Sequence, residues 1–200
     1  MSFDSQVEKF SYAIGLSLAS NLLQSQITSV ELESLFDAIT DVMEGKMPKI
    51  SPQEANQIIE DYFKDHQANQ GAVNSKEGEE FLALNKKVKD VIELQSGLQY
   101  QVLTEGNGPK PKLTDKVKCH YHGTLIDGTV FDSSVQRNQP AEFPVNGVIA
   151  GWIEALQMMS IGSKWRLFIP PHLAYGDHGA GGSIGPKATL IFDVELLEIV

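Results

Sequence analysis

HYHGTLIDGTVFDSS at residues 120–134, AEFPVNGVIAGW at 141–152, PPHLAYG at 170–176 and TLIFDVELLEIV at 189–200 together carry Tyr121, Phe131, Phe143, Trp152, Tyr175 and Phe192. Almost every strand, turn and short helix read from this region holds one aromatic residue. Asp132 directly follows Phe131, and the region supplies no convincing nucleophile. A pocket of aromatic rings with a few placed polar groups holds an apolar group and orients the chain attached to it. Proline within a peptide makes that demand.

Working outward, the apolar period in this half is two. Leu98, Tyr100 and Val102 alternate with polar residues, as do Val117, Cys119 and Tyr121, and then Leu190, Phe192, Val194 and Leu196, the pattern of strands with one face buried. Turn signals separate these runs at 106–111, 127–128 and 179–185, and a short helix is read at Trp152–Met159. Strands in series with one short helix predict an α+β domain over 96–200, an antiparallel sheet wrapped on that helix.

Upstream the period lengthens. Val7, Phe10, Ile14, Leu18 and Leu22 draw one stripe along a helix from about Ser5 to Leu23. A second helix is predicted from Thr28, with Glu31 reaching back in a capping box, to Gly45. Its apolar face includes Leu35, Phe36, Ile39 and Val42. Two such helices leave too much apolar surface wet in a single chain, which predicts an all-helical dimerisation domain over 1–50 and a homodimer through residues 1–45. A third helix opens at Ser51, with Pro52 in its first position and Glu54 completing a capping box. It is predicted to run unbroken to Lys89 as an exposed spacer within a linker of 51–95. Its middle, KDHQANQGAVNSKEGEE at 64–80, offers almost nothing to bury.

The chain of 200 residues has a net charge of −10. Residues 1–95 hold 8 basic and 16 acidic side chains, and 96–200 hold 8 and 10. No basic run exists to neutralise phosphates, which argues against nucleic acid as a partner. Cys119 is the single cysteine, excludes an intrachain disulfide, and reads as a buried thiol. MSFDSQVEKF lacks a basic segment followed by an apolar one, and no stretch reaches the ~20 apolar residues of a membrane span. A soluble cytoplasmic protein without membrane partners is expected, or a periplasmic one were a leader removed.

Other chemistries are weaker. His120 and His122 share a strand face but lack a third ligand at suitable spacing, so two solvated histidines and no metal are expected. GDHGAGGSIG at 176–185 lacks the Gly-Lys-Ser/Thr ending of a phosphate loop. Nothing local marks Ser133 or Ser134 as activated, although His172 and Asp177 exist elsewhere.

SGLQYQVL, HYHGTLIDGTVFDSS, VIAGWIEAL, LAYG and ATLIFDVELLEI occur in this order over 97–200, and this segment resembles an FKBP-type peptidyl-prolyl cis-trans isomerase domain. SYAIGLSLASNL, DAITDVMEGK and EGEEFLALNKK are similar to the N-terminal region of the macrophage-infectivity-potentiator branch of bacterial FKBPs. In that branch the first two helices intertwine between subunits and a long third helix carries the catalytic domain. The resemblance implies acceleration of X–Pro rotation in unfolded or partly folded polypeptides, without cofactor. It implies a pocket with Trp152 as floor, Tyr121, Phe131 and Phe192 as walls, and Arg137, Phe143, Val148, Ile149 and Tyr175 around it. Asp132 and the Tyr175 hydroxyl would meet substrate polar groups, and the Ile149 N–H a substrate carbonyl. Macrolide inhibitors such as tacrolimus and rapamycin are further implied ligands. Three rim positions, Ala141, Ala180 and Gly185, depart from the aromatic, histidine and proline frequent in eukaryotic members. The alternative is a non-catalytic holdase chaperone, a peptide-binding module whose pocket serves as an anchor.

Overall fold

The structure, a computed structural model, describes residues 3–25, 27 and 29–200. The chain divides into two compact units, residues 1–63 and 64–200.

In the first unit the stripe forms helix α1, Gln6–Gln24, and Ser5 caps it by accepting the Glu8 N–H on its hydroxyl at 3.1 Å. Helix α2 spans Leu32–Met43. Its cap differs from expectation: the Glu31 carboxylate itself accepts the N–H groups of Ser34 at 2.7 Å and Glu33 at 3.1 Å, while Thr28 lies outside the described residues. Glutamate is a poor cap by rank, but its negative charge suits a helix N-terminus. The bonds from Ser34 and Glu33 hold its carboxyl below the usual value. Neither helix has a buried residue.

Helix α3 runs unbroken over Pro52–Asn85, roughly 51 Å at ~1.5 Å per residue. Ser51 accepts the Glu54 N–H at 3.2 Å, half of the predicted box. The helix stops short of Lys89, because Val88 closes a turn onto Asn85 and Asp90 takes a positive φ of 67°. The polar middle is also not a bare spacer. Gly71 and Gly78 are its buried residues, packed against Pro186 and Thr189 of the second unit to which they belong. A Cβ on Gly78 would lie 2.3 Å from the Thr189 hydroxyl oxygen. Here the helix buries backbone, which a search for apolar side chains does not detect.

The second unit is α+β, as the alternation predicts. Strands β1 Val91–Glu93, β2 Gln99–Thr104, β3 Lys116–Leu125, β4 Val130–Ser133, β5 Ala141–Pro144, β6 Lys164–Ile169 and β7 Leu190–Ile199 form one antiparallel sheet. The order is β1-β2-β6-β7-β3-β4, with β5 also on β3. Strand β7 therefore sits mid-sheet, between β6 and β3. Helix α4, Ala150–Met158, buries Trp152, Ala155 and Leu156 in a core shared with Leu98, Val117, Cys119, Leu167, Leu190 and Val194. Only the start of β2 is buried on both faces, at Gln99 and Tyr100, and Gln99 is as inaccessible as Leu98 just before the strand. Its amide donates to the Leu82 carbonyl at 3.0 Å and to Glu93 at 3.1 Å, and accepts from Asn85 at 2.9 Å. The end of α3 covers that face, with Phe81 tilted on Phe168 at 5.9 Å. A buried amide is tolerated because its polar atoms are paired.

Candidate active site

The sheet and α4 bring the aromatic residues together. Tyr121 comes from the middle of β3, Phe131 and Asp132 from β4, Phe143 from β5 and Phe192 from β7. A 3-10 turn at Val145–Gly147 leads into Val148, Ile149 and the first turn of α4, which carries Trp152. A second at Pro171–Leu173 precedes Tyr175. All of these side chains line one cavity of about 640 Å³, within the range of ligand pockets.

Trp152 lines it and is almost fully buried. Three rings meet the indole edge-on: Phe192 at 5.2 Å, Tyr121 at 5.6 Å and Phe143 at 5.7 Å, at interplanar angles of 79–83°. Phe131 stands edge-on to Phe192 at 5.3 Å. This geometry places positive ring edges against negative faces. It also requires a glycine on β3: Gly123 pairs with Asp132 on one side and Phe192 on the other. A Cβ there would come within 2.7 Å of the Phe131 and Phe192 rings.

One polar cluster interrupts the apolar wall. The Tyr121 hydroxyl donates to Asp132 Oδ2 at 2.5 Å. Arg137 Nη2 donates to that hydroxyl at 2.8 Å, and Nη1 pairs with Asp132 Oδ1. The guanidinium also lies 5.8 Å from the Tyr121 ring centre. Arg137 does not line the cavity; it holds the two residues that do. Burial pushes the Tyr121 hydroxyl above its ordinary value, and Asp132 adds to that. Burial alone would also raise the Asp132 carboxyl, but the bonds from Tyr121 and Arg137 and the guanidinium charge outweigh it and hold it low. Asp132 thus stays ionised, paired with the Arg137 guanidinium, beside a neutral phenol. Ile149 lies on the wall as the residue before α4, where N–H groups have no intrahelical acceptor.

The rim holds residues that the sequence reading passed over. Gly181, Ser183 and Ile184 line the cavity beside Ala180, all from the glycine-rich run weighed as a phosphate loop. A lone isoleucine inside such a run was the available signal. The histidines are not solvated as expected. His120 and His122 are half-buried, with Nδ1 atoms 3.1 Å from Ser134 Oγ and 3.0 Å from Ser133 Oγ. Both serines are buried, and the Ser134 hydroxyl binds the Tyr121 backbone, which removes them as nucleophiles. Among the described residues no three metal-ligating side chains converge, and no helix is long and apolar enough to cross a membrane.

Comparison with known proteins agrees across the whole chain. Residues 108–197 match the family described as FKBP-type peptidyl-prolyl cis-trans isomerase. Residues 7–102 match the domain amino terminal to it. The chain is 46% identical, over 99% of its length, to the FKBP-type 22 kDa peptidyl-prolyl cis-trans isomerase of Escherichia coli, and covers 98% of that protein. It is 40% identical, over 96% of its length, to the outer membrane protein MIP of Legionella longbeachae, covering 85% of it. The crystal structure of FkpA from Escherichia coli superposes with a TM-score of 0.73 at 36% identity, over 99% of this chain and 98% of that one. The chain belongs to the FKBP-type peptidyl-prolyl cis-trans isomerase family.

Proposed function

We propose that this isomerase turns X–Pro bonds of unfolded or partly folded polypeptides inside the cavity on Trp152, and that it works as a homodimer. The observation that carries the reading is an indole enclosed edge-on by three rings beside an ionised Asp132. An X–Pro bond prefers trans by only about 0.5–1 kcal/mol but rotates over a barrier of ~18–20 kcal/mol, because rotation breaks amide resonance. No bond is made or cut. The twisted amide separates less charge than the planar one, so a dry apolar cavity penalises the transition state less than the ground state. Shortening tens of seconds to milliseconds needs about four decades, or roughly 5.5 kcal/mol. Burial of the ring, with hydrogen bonds from the Ile149 N–H and the Tyr175 hydroxyl, supplies terms of that size. The same apolar cavity suits macrolide inhibitors of the tacrolimus and rapamycin class.

Asp132→Asn is expected to lower kcat/KM on short X–Pro peptides about ten- to a hundredfold, since it removes a charge-assisted hydrogen bond at the wall. Tyr175→Phe is expected to have a smaller effect in the same direction. Asp132 and Tyr175 are about 40% exposed, so neither substitution should disturb the fold. A protease-coupled assay at several substrate concentrations decides. Wild-type rates in both variants and in the double variant would move the site elsewhere.

The same rates are expected to stay flat from about pH 5 to about pH 9 on uncharged peptides. Asp132 titrates below its ordinary 3.8 and Tyr121 above its ordinary 10.0, so the pair keeps one charge state throughout. The contribution of Asp132 to stability is therefore complete above its unfolded value and lost as pH falls through the lower folded one. Tyr121 behaves conversely, its contribution intact below its unfolded value and lost as pH rises through the higher folded one. A break near neutral pH would assign the rate to a histidine instead.

A holdase without catalysis has thinner support. The apolar faces of α1 and α2 that would grip a client are met equally well by a second subunit. The cytoplasmic placement expected from the sequence gains no support, one relative being named an outer membrane protein. Cys119 is fully inaccessible, and burial pushes its thiol up to about 12, so the fold suits either a reducing or an oxidising compartment.

A further inference from the structure

We propose that helix α3 holds the rim of the pocket in place, with Asn74 as a positioning residue for the loop 176–187, an inference that rests on the site assigned above. The loop, GDHGAGGSIGPK, follows Tyr175 directly. Gly176, Gly179, Gly181 and Gly182 all take positive φ, from 58° to 72°, so this chain has much conformational freedom to lose. Ala180 and Ile184 exchange backbone hydrogen bonds of 2.8 and 3.0 Å, a small hairpin whose residues form the pocket rim. The hairpin is too short to hold itself against that entropy.

Two ties fix its base. The Lys187 N–H donates to the Gly176 carbonyl at 2.8 Å and closes the loop upon itself. Asn74 Nδ2 donates to the Pro186 carbonyl at 2.7 Å and fastens the loop to the helix. The fit around the second tie is close. A Cβ on Gly185 would lie 2.9 Å from Gln70 Nε2 and 3.0 Å from Asn74 Nδ2. A Cβ on Gly71 would lie at ordinary contact distance, 3.6 Å, from the Pro186 ring, whereas one on Gly78 would fall 2.3 Å from the hydroxyl oxygen of Thr189, two residues past the loop. Positions 71 and 78 are two turns apart and share one helix face. Glycine is costly inside a helix; Gly71 lies where the loop residue Pro186 approaches and Gly78 where Thr189, just past the loop, approaches too closely for a Cβ. Gly185 is also one of the positions that depart from the eukaryotic pattern: the space a side chain would fill there holds the two helix amides. Ile184 on the rim is one peptide bond from Gly185 under the helix.

Asn74→Ala in the full chain tests this, because alanine is the better helix former and leaves the Pro186 carbonyl without its donor. KM for short X–Pro peptides is expected to rise about three- to tenfold with kcat nearly unchanged, since apparent affinity falls with the fraction of closed rim. Amide exchange at Ala180 and Ile184 should quicken while that of Leu167 and Val194 in the core does not. Asn74→Asp, which can only accept, should do the same, and Asn74→Gln should restore most of the affinity. Gly185→Ala approaches the contact from the loop side and should reproduce the KM effect with the helix untouched. Unchanged KM, or unchanged rim exchange, in both Asn74→Ala and Asn74→Asp overturns the proposal. Asp132→Asn run alongside separates the two readings: an unimpaired Asp132→Asn removes the site itself, whereas an impaired one beside normal Asn74 variants removes the role of the helix alone.

Discussion

Trp152→Ala is expected to lower the unfolding free energy of the isomerase unit by about 3–5 kcal/mol and to abolish measurable catalysis. The indole is 4% exposed, and edge-on ring pairs of the kind it makes with Tyr121, Phe143 and Phe192 add about 0.5–1.5 kcal/mol each beyond area burial. Its removal opens a hole where the cavity wall meets the core, and the surrounding rings are held by three different strands that cannot all close inward. The indole Nε1 is itself buried and finds no hydrogen-bond partner among the described residues, a desolvation cost that phenylalanine would not carry. Trp152→Phe should therefore lose far less stability than Trp152→Ala. Urea unfolding with an unchanged m-value would measure both. A Trp152→Ala protein unfolding at the wild-type midpoint would mean that the indole is not the keystone of this core.

The second large effect concerns assembly. Val7, Phe10, Ile14 and Leu18 on α1 are 37–73% exposed in the single chain, and Phe36, Ile39 and Val42 on α2 are 39–66% exposed. Apolar stripes of this extent mark an interaction surface, and a second copy offers the self-complementary face that symmetric dimers use. Ile14→Glu with Ile39→Glu is expected to convert the proposed dimer into monomers that still turn short peptides at the wild-type rate. Refolding of a proline-limited protein should slow, because two tethered sites raise the effective concentration of the second. Light scattering reads the result. A wild-type mass of one chain at micromolar concentration, or a dimer that survives both charges, would relocate or remove the interface.

The alternation at Val117, Cys119 and Tyr121 was legible because β3 buries one face fully and the other only in part. The cap at Ser51 was legible because a hydroxyl before an apolar stripe has one economical use, and the start of α1 near Ser5 because the stripe itself begins there. The start of α2 was misread by the same logic: Glu31 can serve a Thr28 box or cap outright, and sequence spacing does not distinguish them. The residues that line the cavity were singled out in the sequence through their aromatic side chains, which announce themselves by rarity. What escaped was the rim. Ser183 and Ile184 sit among glycines, and Asn74, Gly71 and Gly78 lie on a helix far away in sequence whose contribution is backbone proximity and one amide. Gln99 was hidden for a related reason: a residue at a nominally wet position is dry when a distant helix covers it. Such contacts are set by tertiary geometry and leave no periodicity to read.

Strand β7 has a temporal meaning as well as a spatial one. It follows the other six strands of the sheet along the chain, yet it lies between β6 and β3 and carries the Phe192 wall. A chain emerging from the ribosome possesses Tyr121, Asp132 and Trp152 well before β7 appears, but β6 and β3 have no shared edge until it is inserted. The non-local β3–β7 pairing makes this closing step a slow one. Closure of the pocket thus waits for β7: until it pairs, the Phe192 wall is missing and β6 is not joined to β3.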